Sequence, residues 1–356
     1  MLDIVKFGHL LEFQELPQFN GVRSTPIGKA SVESSVLLDE VEALLEKNAI
    51  EYVPPEKQNE GFYSTFFLVE KKPSGLRPIL NVKPLNRLIK KQSFKMETLR
   101  SVKKAVRAGD WLCSIDLKDA YMHIAVREQH RKFLRFKIRD QVFQYRVIPF
   151  GLTSAPRIFT KLPAPVVAKA RMEGVHVFPY LDNLLIRASS KEDQRSVNML
   201  IALREKCGFL INQEKSLQVT PCKTLIFIRG HFKTDVKLVL LPPERKGDLL
   251  DFINQFVTRP QAEAREFLRL LGLMAACIEV VPFARLHMRP IQMYLMSFRR
   301  PASKKLEVLV PINQHLVRHL QWWRTEDNLI RGVPLQRDPP EVVLTTDSSN
   351  YGSGHT

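Results

Sequence analysis

The chain has 356 residues, of which 44% are hydrophobic and 26% are charged, which excludes a disordered chain and predicts two or three compact units. Its 54 basic residues outnumber its 37 acidic residues, and the net charge of +17 favours an anionic partner such as nucleic acid over a merely basic soluble protein. Four scattered cysteines exclude a disulfide framework and predict buried thiols, and the sequence predicts neither a membrane span nor a signal peptide.

The first hundred residues predict a leader, a helix and a hairpin. Residues 1–34 have no hydrophobic period and predict an extended leader around a folded body. Ser34 or Ser35 can cap a helix that continues to about Asn48. Residues 62–82 predict two strands joined by a Pro-Ser-Gly turn. Three cations flank this turn and suit either a phosphate contact or a solvated loop: Lys71, Lys72 and Arg77.

Two aspartates in the middle of the chain each end an apolar strand: Asp116 in SIDLKDAY and Asp182 in YLDN. Asp182 and Asn183 are predicted to form the bend between two short strands over residues 176–188. The other predicted elements are a hairpin over 133–148, helices over 154–170 and 191–207, a strand over 224–234, mostly helix over 244–300, a helix containing Trp322 and Trp323, and a strand over 342–349.

The two strand-ending aspartates fit a metal site. A single aspartate at such a junction is usually a cap or turn residue. Two carboxylates on adjacent strands repel each other unless a cation lies between them. Carboxylate oxygens select Mg²⁺, which takes further ligands from substrate phosphates. Two such ions can activate a 3′-hydroxyl and stabilise a leaving pyrophosphate.

Five segments occur in a fixed order: EKKPSGLRPILNVKPLN, SIDLKDAY, IPFGLTSAPRIF, YLDN and CGFLINQEKS. In order and spacing they resemble the motifs of reverse transcriptases, particularly those of DIRS-type and gypsy-type retrotransposons. REFLRLLGLMAACIEVVPFARLHMRPIQ resembles the segment after the polymerase in DIRS-type elements, and TTDSSNYGSG resembles the start of an RNase H domain. The resemblance implies an α+β right-hand polymerase with an extended leader (1–34), fingers and palm (35–236), a mostly helical thumb and connection (237–340) and an incomplete RNase H-like start (341–356).

The resemblance also implies roles for individual residues. Asp116 and Asp182 would hold Mg²⁺, or Mn²⁺, with the backbone of Leu117. Tyr121 would lie beneath the incoming sugar, where its ring leaves no room for a 2′-hydroxyl. The remaining implied roles are base-pair contact by Phe150 and Gly151, triphosphate binding by Lys71, Lys72 and Arg77, a place near the pyrophosphate for Lys215, a supporting acid in Asp119 and the first RNase H acid in Asp347.

Asn183 departs from the family pattern, in which a second aspartate follows the first. A carboxamide is nearly isosteric with a carboxylate but carries no charge and donates from one side. Losses near metal sites cost about 10–100-fold in activity, so we predict weak or absent polymerase activity. Pro163 is a second departure, because a proline inside the predicted helix over 154–170 kinks it or ends it early.

The implied partners are an RNA template with a DNA primer, or the RNA/DNA duplex, together with dNTPs. No membrane partner is expected, and an intracellular place in the nucleus or cytoplasm follows from the needs of retroelement replication. RNase H activity is not expected from the few residues after Asp347. A catalytically inactive nucleic-acid-binding protein and a translated relic without a role are the alternatives, and the oligomeric state stays open.

Overall fold

The computed structural model describes residues 2–26, 32–70, 76–191, 194–212, 220–300, 302–303, 305–336, 346–349 and 352–355. The chain forms two compact units. The first comprises Met1–Glu97, Cys113–Ala188 and Glu192–Pro221, and the second comprises Thr98–Leu112, Ser189–Lys191 and Cys222–Thr356. Within the described ranges, every helix is too short or too polar to cross a membrane.

Short helices and strands alternate through the described chain. The helices are α1 (Leu2–Phe7), α2 (Val32–Glu46), α3 (Lys83–Asn86), α4 (Leu99–Ala105), α5 (Glu128–Arg131), α6 (Ala155–Lys161), α7 (Ala164–Met172), α8 (Gln194–Lys206), α9 (Pro243–Phe256), α10 (Ala264–Ala275), α11 (Ala284–Phe298), α12 (Gln314–Arg324) and α13 (Glu326–Ile330). The strands are β1 (Ile50–Tyr52), β2 (Phe66–Glu70), β3 (Leu76–Leu80), β4 (Trp111–Asp116), β5 (Arg135–Ile138), β6 (Gln141–Tyr145), β7 (His176–Tyr180), β8 (Asn183–Ala188), β9 (Thr224–Phe227), β10 (Gly230–Lys233), β11 (Leu238–Leu240), β12 (Gln261–Glu263), β13 (Leu309–Pro311), β14 (Val333–Pro334), β15 (Thr346–Ser349) and β16 (Gly352–His355).

The central sheet of the first unit has the strand order β4-β8-β7. Leu184, Leu185 and Ile186 follow one another on β8 and are all buried. Successive side chains on a strand point to opposite faces, so both faces of this sheet are covered. Helix α7 packs against β7 and α8 on this unit. The sheet is therefore a rigid support for the turns at its strand ends.

Two further β structures complete the first unit. Strands β1, β6 and β5 form one antiparallel sheet, and β2 pairs with β3 as a hairpin. Phe136 links them, because its ring contacts Phe66 edge-on at 5.0 Å and stacks on Phe143 at 5.4 Å. Such aromatic pairs add to the free energy gained from burial alone.

The second unit is mainly helical. Its core includes Trp323, Phe256 and Phe267, all nearly inaccessible to solvent. The rings of Phe256 and Phe267 meet edge-on at 4.8 Å, which joins α9 to α10. A small antiparallel sheet with the order β14-β11-β10-β9 belongs to the same unit. Helix α12 contains Trp322 and Trp323, as the sequence predicted.

Several local predictions from the sequence were wrong. Helix α2 begins at Val32, so Ser34 and Ser35 lie in its first turn and neither caps it. Asn183 is the first residue of β8 rather than part of the bend. The predicted strand over 224–234 is a hairpin of two strands, because Ile228 and Arg229 adopt left-handed backbone angles that reverse the chain.

The structure also determines the effect of Pro163 and the burial of the cysteines. The helix predicted over 154–170 is two helices, α6 and α7, which break at Leu162–Pro163. Pro163 therefore ends the first helix early instead of kinking a continuous one. No disulfide joins the four cysteines, and Cys113 and Cys277 are buried as expected, but Cys207 is exposed at the end of α8.

Candidate active site

The turn between β7 and β8 carries one of the two predicted metal-binding aspartates. Tyr180 pairs with Asn183 across the hairpin, which leaves Leu181 and Asp182 as a two-residue loop. Leu181 has φ 52°, a left-handed conformation that tight hairpins require and that is unfavourable for leucine. Such a residue costs about 1–3 kcal/mol, and residues of this kind concentrate at functional sites. The turn presents Asp182 to solvent at the tip.

Asp116 ends β4 next to this turn. The amide of Leu117 donates to the carbonyl oxygen of Asp182 at 2.9 Å. The two aspartates are therefore held on adjacent, hydrogen-bonded backbone segments, as the order of motifs implied. The side chain of Leu117 is buried in the core, so only its backbone can take part in a metal site.

Asn212 supports Asp116 and was missed in the sequence. Its amide nitrogen donates to the carbonyl oxygen of Asp116 at 2.9 Å. Its side-chain Nδ2 lies 3.4 Å from Asp116 Oδ2, at the long end of hydrogen-bond distance. The signal was the amide inside CGFLINQEKS, where only Lys215 was singled out. Asn212 fixes the backbone of Asp116 and orients its carboxylate.

Ser114 determines the direction of the Asn183 side chain. The Ser114 hydroxyl donates to Asn183 Oδ1 at 2.7 Å, and Ser114 is only 8% exposed. Ser114 precedes Asp116 by two residues on β4, so the two side chains share a face of the sheet. The carbonyl oxygen of the Asn183 amide is thereby engaged, and its remaining polar atom is the Nδ2 donor.

Tyr121 lies near enough to Asp182 to feel its charge, and its place beneath the incoming sugar stays a prediction. Its ring meets Phe150 edge-on at 5.1 Å and Phe159 at 5.6 Å. Burial raises the pKa of the Tyr121 hydroxyl, and the negative charge of Asp182 and the neighbouring Tyr180 raise it further. The phenol stays neutral at physiological pH, and its half-buried ring forms a rigid wall.

The loop after β6 presents Phe150 and Gly151. Phe150 is 53% exposed, and Gly151 has φ 91°. A Cβ at position 151 would approach Val82 Cγ2 to 3.3 Å, so the left-handed turn and the close approach both favour glycine. Asn86, which the sequence analysis did not single out, donates from Nδ2 to the Gly151 carbonyl and accepts from the Thr153 amide, both at 2.8 Å.

Several of these residues line a cleft of about 560 Å³ in the first unit. Asp116, Asp182, Phe150 and Asn212 belong to its wall, as do Lys47 and Asp119, whose Nζ and Oδ2 atoms are 2.9 Å apart. Across the described residues, no three histidine, cysteine, aspartate or glutamate side chains are placed to hold one metal ion. The cleft lining includes Asp116 and Asp182, and their role as metal ligands stays a prediction.

Several predicted site residues cannot be placed. Lys71, Lys72 and Lys215 lie outside the described residues, as does the side chain of Arg77. The backbone of Asp347 belongs to β15, where it pairs with Gly354 on β16, and its side chain is outside the described part. Their roles stay predictions.

Comparison with known proteins gives a family match over half of the chain. Residues 69–247 match the family described as Reverse transcriptase (RNA-dependent DNA polymerase). The Transposon Tf2-3 and Tf2-4 polyproteins of Schizosaccharomyces pombe are each 28% identical over 148 residues. That stretch is 41% of this chain and 11% of either polyprotein.

Solved structures extend the likeness to nearly the whole fold. The foamy viral protease-reverse transcriptase dRH in complex with double-stranded DNA matches 98% of this chain and 55% of its own, with a TM-score of 0.71 and 14% identity. The foamy viral enzyme in complex with an RNA/DNA hybrid matches 92% of this chain and 41% of its own, with a TM-score of 0.64 and 14% identity. The predicted α+β right-hand polymerase fold is confirmed.

Proposed function

The chain belongs to the reverse transcriptase (RNA-dependent DNA polymerase) family, and from that membership we propose that it is the polymerase domain of a DIRS-type or gypsy-type retrotransposon. Its reaction is template-directed DNA synthesis from dNTPs on an RNA or DNA template. The observation that carries the proposal is the placement of Asp116 and Asp182 on adjacent, hydrogen-bonded backbone segments in one cleft. Asp116 ends the buried strand β4, and Asp182 lies in the two-residue loop between β7 and β8, so both positions are fixed before substrate binds.

The donor set of this cleft fits Mg²⁺ in part. Asp116, Asp182 and the backbone carbonyl of Leu117 offer oxygen ligands, and substrate phosphates would supply others. When bound, the metal ions lower the pKa of the attacking 3′-hydroxyl and offset the charge of the leaving pyrophosphate. Asn212 keeps the Asp116 carboxylate directed at that place. Mn²⁺ suits the same oxygen ligands.

Tyr121, Phe150 and Gly151 would select and position the nucleotide. The Tyr121 ring, fixed between Phe150 and Phe159, would exclude the 2′-hydroxyl of a ribonucleotide. Phe150 and Gly151 would pack against the new base pair, with Asn86 holding their loop in place. Binding of the template and primer would rest mainly on phosphate contacts by the basic surface, with little sequence preference.

Asn183 impairs the reaction in this proposal. A carboxylate at this position would give the site its third negative charge. The Asn183 carboxamide is neutral, its oxygen already accepts from Ser114, and its Nδ2 is a donor that cannot coordinate a cation, so this group is a weaker metal ligand than a carboxylate. We expect synthesis to be at least 10–100-fold slower than with aspartate at this position.

The net charge of +17 favours a second candidate function, nucleic-acid binding without synthesis, because this charge attracts a polyanion. The neutral Asn183 side chain, whose oxygen accepts from Ser114, is at the same time a weaker metal ligand than a carboxylate. The protein would then bind template–primer duplexes in the nucleus or cytoplasm without extending them.

The polymerase proposal also includes an RNase H-like start over residues 341–356. The antiparallel β15–β16 hairpin supports it, with Asp347 in the first of its two strands.

Primer extension on an RNA template, with Mg²⁺ and then Mn²⁺, tests the polymerase proposal. The unaltered protein is compared with Asn183→Asp and Asp116→Ala, and duplex binding is measured in parallel by fluorescence anisotropy. Slow extension that rises in Asn183→Asp and disappears in Asp116→Ala supports it. If the unaltered protein and both variants fail to extend the primer but still bind the duplex in a salt-dependent way, the polymerase proposal is overturned in favour of the binding function. Full activity of the unaltered protein would refute the role given to Asn183.

A further inference from the structure

Lys47 occupies a fixed place at the end of α2. The amide of Asn48 donates to the Leu45 carbonyl and that of Ala49 donates to the Leu44 carbonyl, both at 2.9 Å. Asn48 has φ 54°. This is the Schellman arrangement, in which a left-handed residue follows the cap and two amides close the last turn. Lys47 is the cap residue, so its backbone is held rigidly.

A side-chain contact also holds the turn that carries Lys47. Arg146 Nη1 donates to Asn48 Oδ1 at 3.2 Å, which ties the turn to the end of β6. The Lys47 side chain is 44% exposed, so an anion in solution can reach its ammonium group. A fixed backbone and an accessible ammonium suit the binding of an anion.

The partner of Lys47 is Asp119, at 2.9 Å from its Nζ. Asp119 has φ 50° and begins the short 3-10 helix Ala120–His123. Its side chain is 31% exposed, so the ion pair faces solvent in the cleft. Exposed pairs of this kind contribute little to stability and exchange readily with competing ions. The pair is therefore a weak brace for the fold.

The charges of the cleft-lining residues suggest a binding role for the ion pair of Lys47 and Asp119. Its described acidic lining comprises Glu40, Asp116, Asp119 and Asp182, and its described basic lining comprises Lys47 and Lys118. Metal ions would offset Asp116 and Asp182. A triphosphate would still need cations, and Lys47 is paired there, among the described residues, with the carboxylate of Asp119. A polyanion with several charges outcompetes a single carboxylate for an ammonium group.

We infer that Lys47 is a triphosphate-binding residue of the cleft, held by Asp119 in the free protein and transferred to the nucleotide phosphates on binding. This inference rests on the proposed function, since it assigns a further contact to the same nucleotide. Asp119 thereby competes with the phosphates for the Lys47 ammonium group and does not act as a third metal ligand. The two residues should affect anion affinity in opposite directions.

Binding of inorganic tripolyphosphate to the full chain tests the inference without requiring synthesis or metal. Isothermal titration calorimetry is run in EDTA at fixed ionic strength with Lys47→Gln, Asp119→Asn and Lys47→Arg. Lys169→Gln is the matched control, because Lys169 also forms an exposed ion pair, with Glu173 at 2.6 Å, away from the cleft. We expect Lys47→Gln to weaken binding about tenfold, Asp119→Asn to strengthen it severalfold, and the other two to change it little.

The opposite signs separate a binding role from a structural brace. A brace predicts that Lys47→Gln and Asp119→Asn both lower the melting temperature and shift affinity alike, and that result would overturn the inference. If Lys47→Gln does not fold, the higher tripolyphosphate affinity expected of Asp119→Asn is by itself the test. Kinetics in the Asn183→Asp background add a second readout, a higher KM for dNTP with a nearly unchanged kcat in Lys47→Gln. If the two variants do not shift tripolyphosphate affinity in opposite directions but primer extension is observed, the inference is rejected and the proposed function stands.

Discussion

The hydrogen bond from Ser114 to Asn183 predicts a measurable coupling between the two positions. In Ser114→Ala the Asn183 carbonyl oxygen loses a nearly buried donor at 2.7 Å, which should lower the free energy of unfolding by about 1 kcal/mol. In the Asn183→Asp background the same hydroxyl donates to a charged acceptor, and bonds of that kind contribute about 1.5–3 kcal/mol. The loss on Ser114→Ala should therefore grow by about 0.5–2 kcal/mol when the acceptor is charged.

Urea unfolding of the two single variants, the double variant and the unaltered chain measures this coupling as a double-mutant cycle. Ser64→Ala is the matched control, because Ser64 is a buried serine of the same unit whose hydroxyl has no hydrogen-bond partner in the described part of the chain. Removing it should be close to neutral. Equal losses for Ser114→Ala in both backgrounds, or a loss no larger than that of Ser64→Ala, would refute the orientation assigned to the Asn183 side chain.

Two further predictions follow from the cleft and from the leader. Tyr121→Val in the Asn183→Asp background should admit ribonucleotides and lower the preference for dNTP over rNTP at least tenfold, measured as the ratio of kcat/KM values; an unchanged ratio would remove Tyr121 from the sugar contact. Burial, with His130 and Arg157 nearby, lowers the pKa of His9 from 6.5 to about 4. The unfolded chain then binds the extra proton first, so the free energy of unfolding should fall by about 3 kcal/mol as pH drops from 6.5 to 4, and His9→Gln should flatten this dependence in urea titrations at several pH values.

The sequence predicted the parts of the site that depend on local pattern. An apolar strand followed by a polar turn fixes the ends of β4 and β7, and hence the places of Asp116 and Asp182. Tyr121 and Phe150 follow from the same short motifs. Such strands can be recognised in a sequence because a strand that is buried on both faces requires a continuous run of apolar residues. The fold itself was predicted from the resemblance of five ordered segments to reverse transcriptase motifs, not from the strand pattern.

Contacts between distant segments were not predictable in this way. Ser114 and Asn183 are 69 positions apart, and Lys47 meets Asp119 across 72 positions, so no local period links them. The break at Pro163 was ambiguous because a proline either kinks a helix or ends it, and packing decides which. The start of α2 was missed because serines favour caps but are tolerated in a first turn.

The position of Asn183 as the first residue of β8 has a genetic consequence. Its backbone pairs with Tyr180 and its side chain meets a hydroxyl that can donate to an amide or to a carboxylate alike. The surrounding structure therefore accommodates either residue without rearrangement. Either asparagine codon becomes an aspartate codon by a single A-to-G transition. Copies of this gene that differ by one base would thus encode the same folded scaffold with and without its third carboxylate, so gain or loss of synthesis could spread through a lineage without any intermediate that misfolds.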